Sequence, residues 1–388
     1  MSDEVPAATT LKPFFSDTFI VKVASRCNLD CTYCYWFRDP SVYQQPALMS
    51  EEVEDAFINR LQIYAHELQL RSLNIVFHGG EPLLFGIQRT QRFVEKTISA
   101  LGKHGVNIGF AIQTNAVLVT QEWAKFFSDY NISPSISIDG MQEIHDKHRI
   151  SRDGAGSFQR TLSGMKILQE SGCDVGVLAV CDPQSDPEDL CSFFISTLGL
   201  KHFDVLLPDF NWDEKDKVQS VARYYIKLYD LWYDEYSKKG IRIRFVDHLT
   251  KSILGIIESS TTVGRTRMAT CVVMPDGALQ PHDVLRISGS KQVHTGLNVL
   301  NNNIDELFRN KLWNAIFSSS YELSQKCQQC SLLDVCGGGN VYHRYSSQSE
   351  YNNPSVYCED YKSIIRHAWH RIKDDLHITS LFADDNLS

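Results

Sequence analysis

Thirty-eight Lys and Arg against 47 Asp and Glu give this 388-residue chain a net charge of −9, which argues against general nucleic-acid affinity. No apolar run is long enough to cross a bilayer, and the N-terminus lacks the charged, apolar and cleavage regions of an export signal. Eleven cysteines without such a signal read as ligands and thiols of a reducing cytoplasm, not as disulfides.

Residues 1–17 are polar and Pro-containing, and read as a flexible arm with no room for a separate leader-peptide-binding domain. The apolar run 19–24 reads as a buried strand. Directly after it stands Cys27-Asn28-Leu29-Asp30-Cys31-Thr32-Tyr33-Cys34. Three thiolates at C-x3-C-x2-C spacing can hold three irons of a [4Fe–4S] cluster and leave the fourth open to a chelating cofactor. A zinc knuckle or three buried cysteines are the alternatives, although structural zinc prefers four ligands in paired hooks and no fourth lies nearby.

Ser50 opens a helical stretch to about Gln69, with Val53 where a capping box wants Glu or Gln. Further strands are expected at 73–77, 108–113, 134–138, 175–180 and 203–207, separated by helical patterns, one of them near 90–102. Strand–helix alternation implies a parallel sheet with helical crossovers. Six such units over residues 18–213 fit an open, partial (β/α)6 TIM-like barrel in the α/β class.

The polar residues that carry chemistry follow these strands. His78-Gly79-Gly80-Glu81-Pro82 comes after the second, and its paired glycines would let backbone approach a ligand closely. Thr114 and Asn115 follow the third. Ser137, Asp139 and Gly140 end the fourth, with Arg149, Arg152 and Arg160 beyond. Each alone is ordinary turn chemistry. Their recurrence at successive strand ends, where such barrels place their active sites, points to one site.

Residues 214–262 read as a helical bridge, with aromatics at helical spacing from Ala222 to Trp232 giving one buried face. Residues 263–370 carry a second cysteine set. Cys327-x2-Cys330-x5-Cys336, followed by three glycines, is a metal hook for which a zinc ribbon is the alternative. Cys173, Cys181 and Cys191 lack hook spacing and read as core thiols. The tail, 371–388, reads as a frayed terminus.

The chain resembles the radical S-adenosylmethionine (radical SAM) superfamily through Cys27-x3-Cys31-x2-Cys34 with Tyr33, through Gly79-Gly80-Glu81-Pro82 and through Ser137-x-Asp139-Gly140. That resemblance implies a cluster whose open iron binds S-adenosylmethionine, and a 5′-deoxyadenosyl radical that abstracts hydrogen. It places Gly79 and Gly80 at the methionine amine, Ser137 and an arginine (Arg149 or Arg160) at its carboxylate, and Tyr33 at the adenine, with His78, Glu81 and Asp139 also counted among the cofactor-binding residues. The final third resembles the SPASM extension of radical SAM peptide maturases. In that pattern Cys327, Cys330, Cys336 and Cys358 hold one auxiliary [4Fe–4S] cluster. The inner cluster would need cysteines where this chain has His282 and Asn340, which leaves only Cys271, a free thiol or stray ligand.

Further motifs resemble the FxsB-type, cyclophane-forming maturases: Cys336-Gly337-Gly338-Gly339 with His343-Arg344-Tyr345, Asn353-Pro354-Ser355-Val356-Tyr357-Cys358, and 206–212. This implies a ribosomally made precursor peptide as substrate, hydrogen abstraction at a side-chain β-carbon and closure of a carbon–carbon crosslink. Formylglycine formation, thioether closure, epimerisation and cyclopropane formation are the alternatives on the same scaffold. A flavodoxin- or ferredoxin-like reductant is the implied partner, with no role for nucleic acid or membrane. In sulfatase-maturing relatives an aspartate follows the cysteine aligned with His282, which nominates Asp283 as the catalytic base; a turn residue after Pro281 is the other reading.

Overall fold

The structure, a computed structural model, describes residues 16–256, 260, 262–268 and 270–376. The flexible-arm reading of 1–17 and the frayed-tail reading of 371–388 therefore fall mostly outside the described residues.

Strand β1 (Thr18–Ala24) is buried along almost its whole length, as a central strand covered on both faces must be. It pairs in parallel with β2 (Ser72–Gly79), and β3 (Asn107–Thr114), β4 (Ile132–Ser137), β5 (Gly176–Val180) and β6 (His202–Leu206) follow in order, each parallel to the last. The long helix between β1 and β2, Glu51–Glu67, begins where Ser50 Oγ accepts from Val53 N at 3.3 Å, so the serine caps without the second half of a box. Helices Ile87–Gly102, Gln121–Asp129 and Phe158–Glu170 make the next crossovers.

Outward-facing phenylalanines weld sheet to helices. Phe77 and Phe110 stack across β2 and β3 at 6.1 Å, and Phe93 meets Phe77 at 5.3 Å. Phe57 touches both Phe19 at 5.8 Å and Phe93 at 6.2 Å. Each ring buried this way contributes about 1.5–3 kcal/mol.

The sheet corrects the expected domain division at both edges. It has nine strands, in the order β7-β6-β5-β4-β3-β2-β1-β8-β9. Strand β7 (Arg242–Ile243), inside the segment read as a helical bridge, extends the sheet beyond β6 through Phe203↔Ile243. Strand β8 (Thr270–Val273), from the C-terminal third, lies parallel to β1 with Phe19 opposite Cys271, and β9 (Leu279–Gln280) turns back on it. The C-terminal segment thus begins as part of the barrel sheet. The bridging helix Ala222–Leu231 buries Tyr224, Tyr225, Leu228 and Tyr229, as its spacing implied. Its start is held by Asp360 Oδ1, which accepts from Val221 N at 2.8 Å and Ala222 N at 2.9 Å, so the long helix Cys358–Leu376 docks against it.

The inner ends of β1 and β2 meet at two glycines. Gly79 has φ +153°, and a Cβ there would stand 2.1 Å from the Ala24 carbonyl oxygen. A Cβ on Gly80 would stand 2.4 Å from that of Arg26. The glycines are thus required by packing onto the thiol loop itself, before any ligand is considered. Gly80→Ala is expected to lower the unfolding free energy of the metal-free chain by about 1–3 kcal/mol, measured by urea titration; an unchanged midpoint would show that these loops have slack.

Candidate active site

A cavity of about 240 Å³ opens at the carboxyl ends of the strands. Cys27, Cys31 and Cys34 line it together with Tyr33, His78, Gly79, Gly80, Glu81, Ser137 and Arg149. The thiol loop is pinned from the far side of the barrel, where Asp30 N donates to Ile150 O at 2.7 Å and Thr32 N to His148 O at 3.0 Å. Burial raises all three thiols, Cys31 to about 11 with Arg149 opposing the shift, so metal must displace their protons.

The remaining expected residues divide by position. Asp139 lies off the cavity wall, where it accepts from Tyr33 Oη at 2.5 Å, Arg149 Nε at 3.0 Å and Val180 N at 3.0 Å. It is therefore a brace for two wall residues. Burial disfavours charge on Arg149, but Asp139 and its neighbours more than restore it. The two candidate arginines part company here: Arg160 is exposed, donates to Ser151 Oγ and does not reach the cavity. Ser137 Oγ accepts from Gln113 Nε2 at 2.8 Å.

Glu81 also faces the cavity, but its two oxygens are spent. Oε1 accepts from Leu83 N and Thr114 Oγ1, and Oε2 from Asn115 N, at 3.0, 2.7 and 2.9 Å. Burial raises this carboxyl to about 7 despite those three donors. His78 Nδ1 accepts from Gly79 N at 2.8 Å, and burial with Lys22 nearby depresses its imidazole to about 3.

Asp283, nominated as a base, is not on the wall. It stands behind Tyr35, whose hydroxyl donates to Oδ2 at 2.5 Å, and forms an ion pair with the fully buried Lys22. Burial alone would raise its carboxyl, but Lys22, His282 and His78 hold it well below the usual range. An acid held ionised this firmly is a weak proton acceptor. Nothing local signals this pairing, because Lys22 stands buried in an apolar strand opposite His78.

Cys327, Cys330, Cys336 and Cys358 line a second cavity of about 310 Å³ with Leu332, Leu333 and Ile365. Burial raises Cys336 to about 12. Gly337, at φ +62°, lets this loop pass the Gly264 carbonyl, where a Cβ would come within 1.9 Å. Among the described residues no three His, Cys, Asp or Glu side chains are grouped closely enough for one ion; the four cysteines instead ring the cavity. Cys271 is apart from them, buried in the core opposite Phe19. Asn340 lines the first cavity, and His282 accepts from Val284 N at 3.2 Å.

Sequence reasoning left out several wall residues. Gln113, Tyr35, Asp204, Asp209, Asn340 and Tyr342 all line the first cavity. A polar residue in an otherwise apolar strand was the available signal for Gln113 and Asp204, both within a few residues of a strand end.

Three thiols, two backbone glycines, Ser137 and Arg149 thus share one cavity at the carboxyl ends of the strands. Residues 21–194 match the Radical SAM superfamily. Its cofactors are a [4Fe–4S] cluster and S-adenosylmethionine. The chain is 25% identical over 355 residues to the cysteine-type anaerobic sulfatase-maturating enzyme of Clostridium novyi (strain NT), covering 89% of this chain and 92% of that one. It is 26% identical over 374 residues to the enzyme of that name from Clostridium perfringens (strain 13 / Type A), covering 92% and 97%. A structure of native anSMEcpe with bound AdoMet and the Cp18Cys peptide shares the fold, with a TM-score of 0.81 at 23% identity over 94% of this chain and 99% of that one. Among the described residues no helix is long and apolar enough to cross a membrane.

Truncating Lys22 would strand Asp283 as an unpaired buried charge. Lys22→Met is expected to cost roughly 3–5 kcal/mol in urea unfolding, with most of it recovered in Lys22→Met/Asp283→Leu. A single variant as stable as wild type would show that the pair carries no buried charge.

Proposed function

We propose that this enzyme oxidises a side chain of a peptide substrate in the manner of the sulfatase-maturating relatives, converting a cysteine or serine to formylglycine. The observation that carries the reading is the convergence of three loop thiols, the Gly79–Gly80 backbone, Ser137 and Arg149 on one cavity. It is supported by relatives whose similarity runs well past the superfamily region into the C-terminal third.

When bound, the [4Fe–4S] cluster and S-adenosylmethionine supply a 5′-deoxyadenosyl radical able to take a hydrogen atom. Cys27, Cys31 and Cys34 would hold three irons. The zwitterionic methionyl end asks for acceptors at its ammonium and donors at its carboxylate. Gly79 and Gly80 meet the first need, Ser137 and Arg149 the second, with Asp139 holding Arg149 and Tyr33 in place. Tyr33 would border the adenine. His78 and Glu81 belong to the frame around this end: one is bound to Gly79 N and the other ties the β2 and β3 loops together.

The C-terminal segment is assigned as a SPASM-type unit in which Cys327, Cys330, Cys336 and Cys358 hold one auxiliary [4Fe–4S] cluster. Oxidation of a cysteine side chain breaks a Cβ–H bond, whose hydrogen leaves as an atom, and the S–H bond, whose hydrogen leaves as a proton and an electron. The C=S group so formed takes up water and releases hydrogen sulfide to give the aldehyde; a serine, losing its Cβ and hydroxyl hydrogens in the same way, gives the aldehyde directly. The electron needs a one-electron acceptor, for which an iron–sulfur cluster is suited. A flavodoxin- or ferredoxin-like protein remains the proposed reductant.

The cyclophane outcome drawn from the FxsB-like motifs has no counterpart among the relatives and structure named above. Mass spectrometry of a co-expressed substrate peptide separates the two. Formylglycine made from cysteine loses sulfur, and that loss is expected; a product that keeps its sulfur and loses two hydrogens, mapped by fragmentation to a crosslink, would replace this reading.

Anaerobic reconstitution should give about eight irons per chain, falling to about four in Cys336→Ala. About twelve in the wild type would mean a third cluster that uses Cys271.

A further inference from the structure

We propose that Asp209, and not Asp283, accepts the proton that the oxidised substrate side chain releases. This rests on the function proposed above, in which one hydrogen leaves as an atom and the other as a proton and an electron taken by an acceptor of the iron–sulfur class.

Three carboxyls line the first cavity among the described residues: Glu81, Asp204 and Asp209. Glu81 is occupied by Leu83, Thr114 and Asn115. Asp204 is occupied too, pairing with Arg244 at 2.6 Å and accepting from Phe245 N at 3.0 Å. Asp209 differs from both. Among the described residues its carboxylate has no hydrogen-bond donor and no ion-pair partner, although its backbone is held from several sides.

That backbone lies just past the carboxyl end of β6. Arg38 Nη1 donates to the Asp209 carbonyl at 2.7 Å, and the Tyr357 hydroxyl donates to Pro208 O at 3.0 Å. Asn211 Nδ2 donates to Ile287 O at 2.9 Å, and the Trp212 indole to Pro354 O at 2.7 Å. A rigid loop thus presents an uncommitted carboxyl to the cavity. Such positioning is what proton transfer requires.

The charged and titratable groups around Asp209 come from each element packed on it. Arg38 faces it from the helix Tyr35–Arg38, but spends its guanidinium on the Asp209 carbonyl and on Glu214 at 3.2 Å. Asp283 approaches from the C-terminal segment, as do the phenols of Tyr342 and Tyr357. Burial is the largest influence, and with Asp283 it outweighs Arg38, raising the Asp209 carboxyl to about 7. At neutral pH it would be part ionised and able both to take and to return a proton. His78, the cavity's imidazole, is held neutral down to about 3.

The test uses the full cluster-loaded chain under anaerobic conditions. Difference infrared spectroscopy of wild type against Asp209→Asn should show a protonated-carboxyl band that fades as pH rises through about 7 and is missing from the variant. No such band, or one that survives in Asp209→Asn, overturns the assignment. With the Cp18Cys peptide as probe, the wild-type ratio of product to 5′-deoxyadenosine should fall as pH drops through about 7. Asp209→Asn should lower that ratio at least tenfold at every pH, with partial recovery in Asp209→Glu. Equal ratios in wild type and Asp209→Asn also overturn it. Failure of the wild type to cleave S-adenosylmethionine, or to alter the peptide, counts instead against the function proposed, and the infrared result then decides whether Asp209 is an available base.

Discussion

The close approach of the Gly79–Gly80 backbone to the loop at Ala24–Arg26 determines where everything else in the site can stand. Gly80 N donates to Ala24 O and Glu81 N to Arg26 O, both at 2.9 Å, with no room for a side chain between the strands. Glu81 then reaches sideways to Thr114 and Asn115, and Asn115 Nδ2 returns to Asn28 Oδ1 at 2.8 Å inside the thiol loop. One buried acid therefore ties the ends of β2 and β3 to the loop after β1. Its raised carboxyl is a consequence of that role, since three donors do not fully replace water.

The C-terminal third closes the other side of the cavity through buried charge. Lys22 meets Asp283, and Arg286 meets Asp39 at 2.6 Å, both pairs almost wholly out of water. Trp36 lies between the cations, with Lys22 Nζ and the Arg286 guanidinium each 4.8 Å from its ring. Such pairs add little net stability, because desolvation consumes most of the Coulombic gain. They do discriminate sharply against misplaced packing: moving the segment Asp283–Ser288 would expose four groups to an apolar interior without partners. Register between β1 and the C-terminal strands is thereby specified more strictly than three or four apolar side chains could manage.

How much of this was legible depended on the range of the interaction. The apolar pattern gave all six barrel strands to within about two residues, β1 as a nearly continuous buried run and β2, β3 and β4 by alternation of buried with more exposed positions. The thiols and the Gly79–Gly80 pair were readable for a similar reason, their chemistry being local to a few residues. Strands β7 and β8 were not, since two to four residues at a sheet edge carry no pattern of their own. The choice between Arg149 and Arg160 was equally hidden. Both follow β4, but Arg149 comes directly after the helix Gln142–His148 with its guanidinium 5.4 Å from the Tyr33 ring, whereas Arg160 lies on the exposed face of the helix Phe158–Glu170. Asp283 was nominated by alignment with relatives, but its state is set by Lys22, near the opposite end of the chain.

The cavity wall itself divides into two kinds of surface. Beneath β2, β3 and β4 it presents backbone, Gln113, Ser137 and Arg149; beneath β6 and the C-terminal segment it presents Asp209, Arg244, Asn340 and Tyr342. Leu178, Val180, Leu206 and Leu207 lie in the same wall. On the function proposed, this separation has a physical consequence. A zwitterionic cofactor is drawn to the half with paired donors and acceptors, where charge is compensated by Asp139 and Arg149 together. The peptide is left the half with an uncompensated carboxyl. Apolar surface at the junction keeps bulk water from the carbon to be oxidised, and a low local dielectric strengthens whatever hydrogen bond that carboxyl makes with the group losing its proton. An acid already locked to a lysine could not respond in this way, because its charge is neutralised before the substrate arrives.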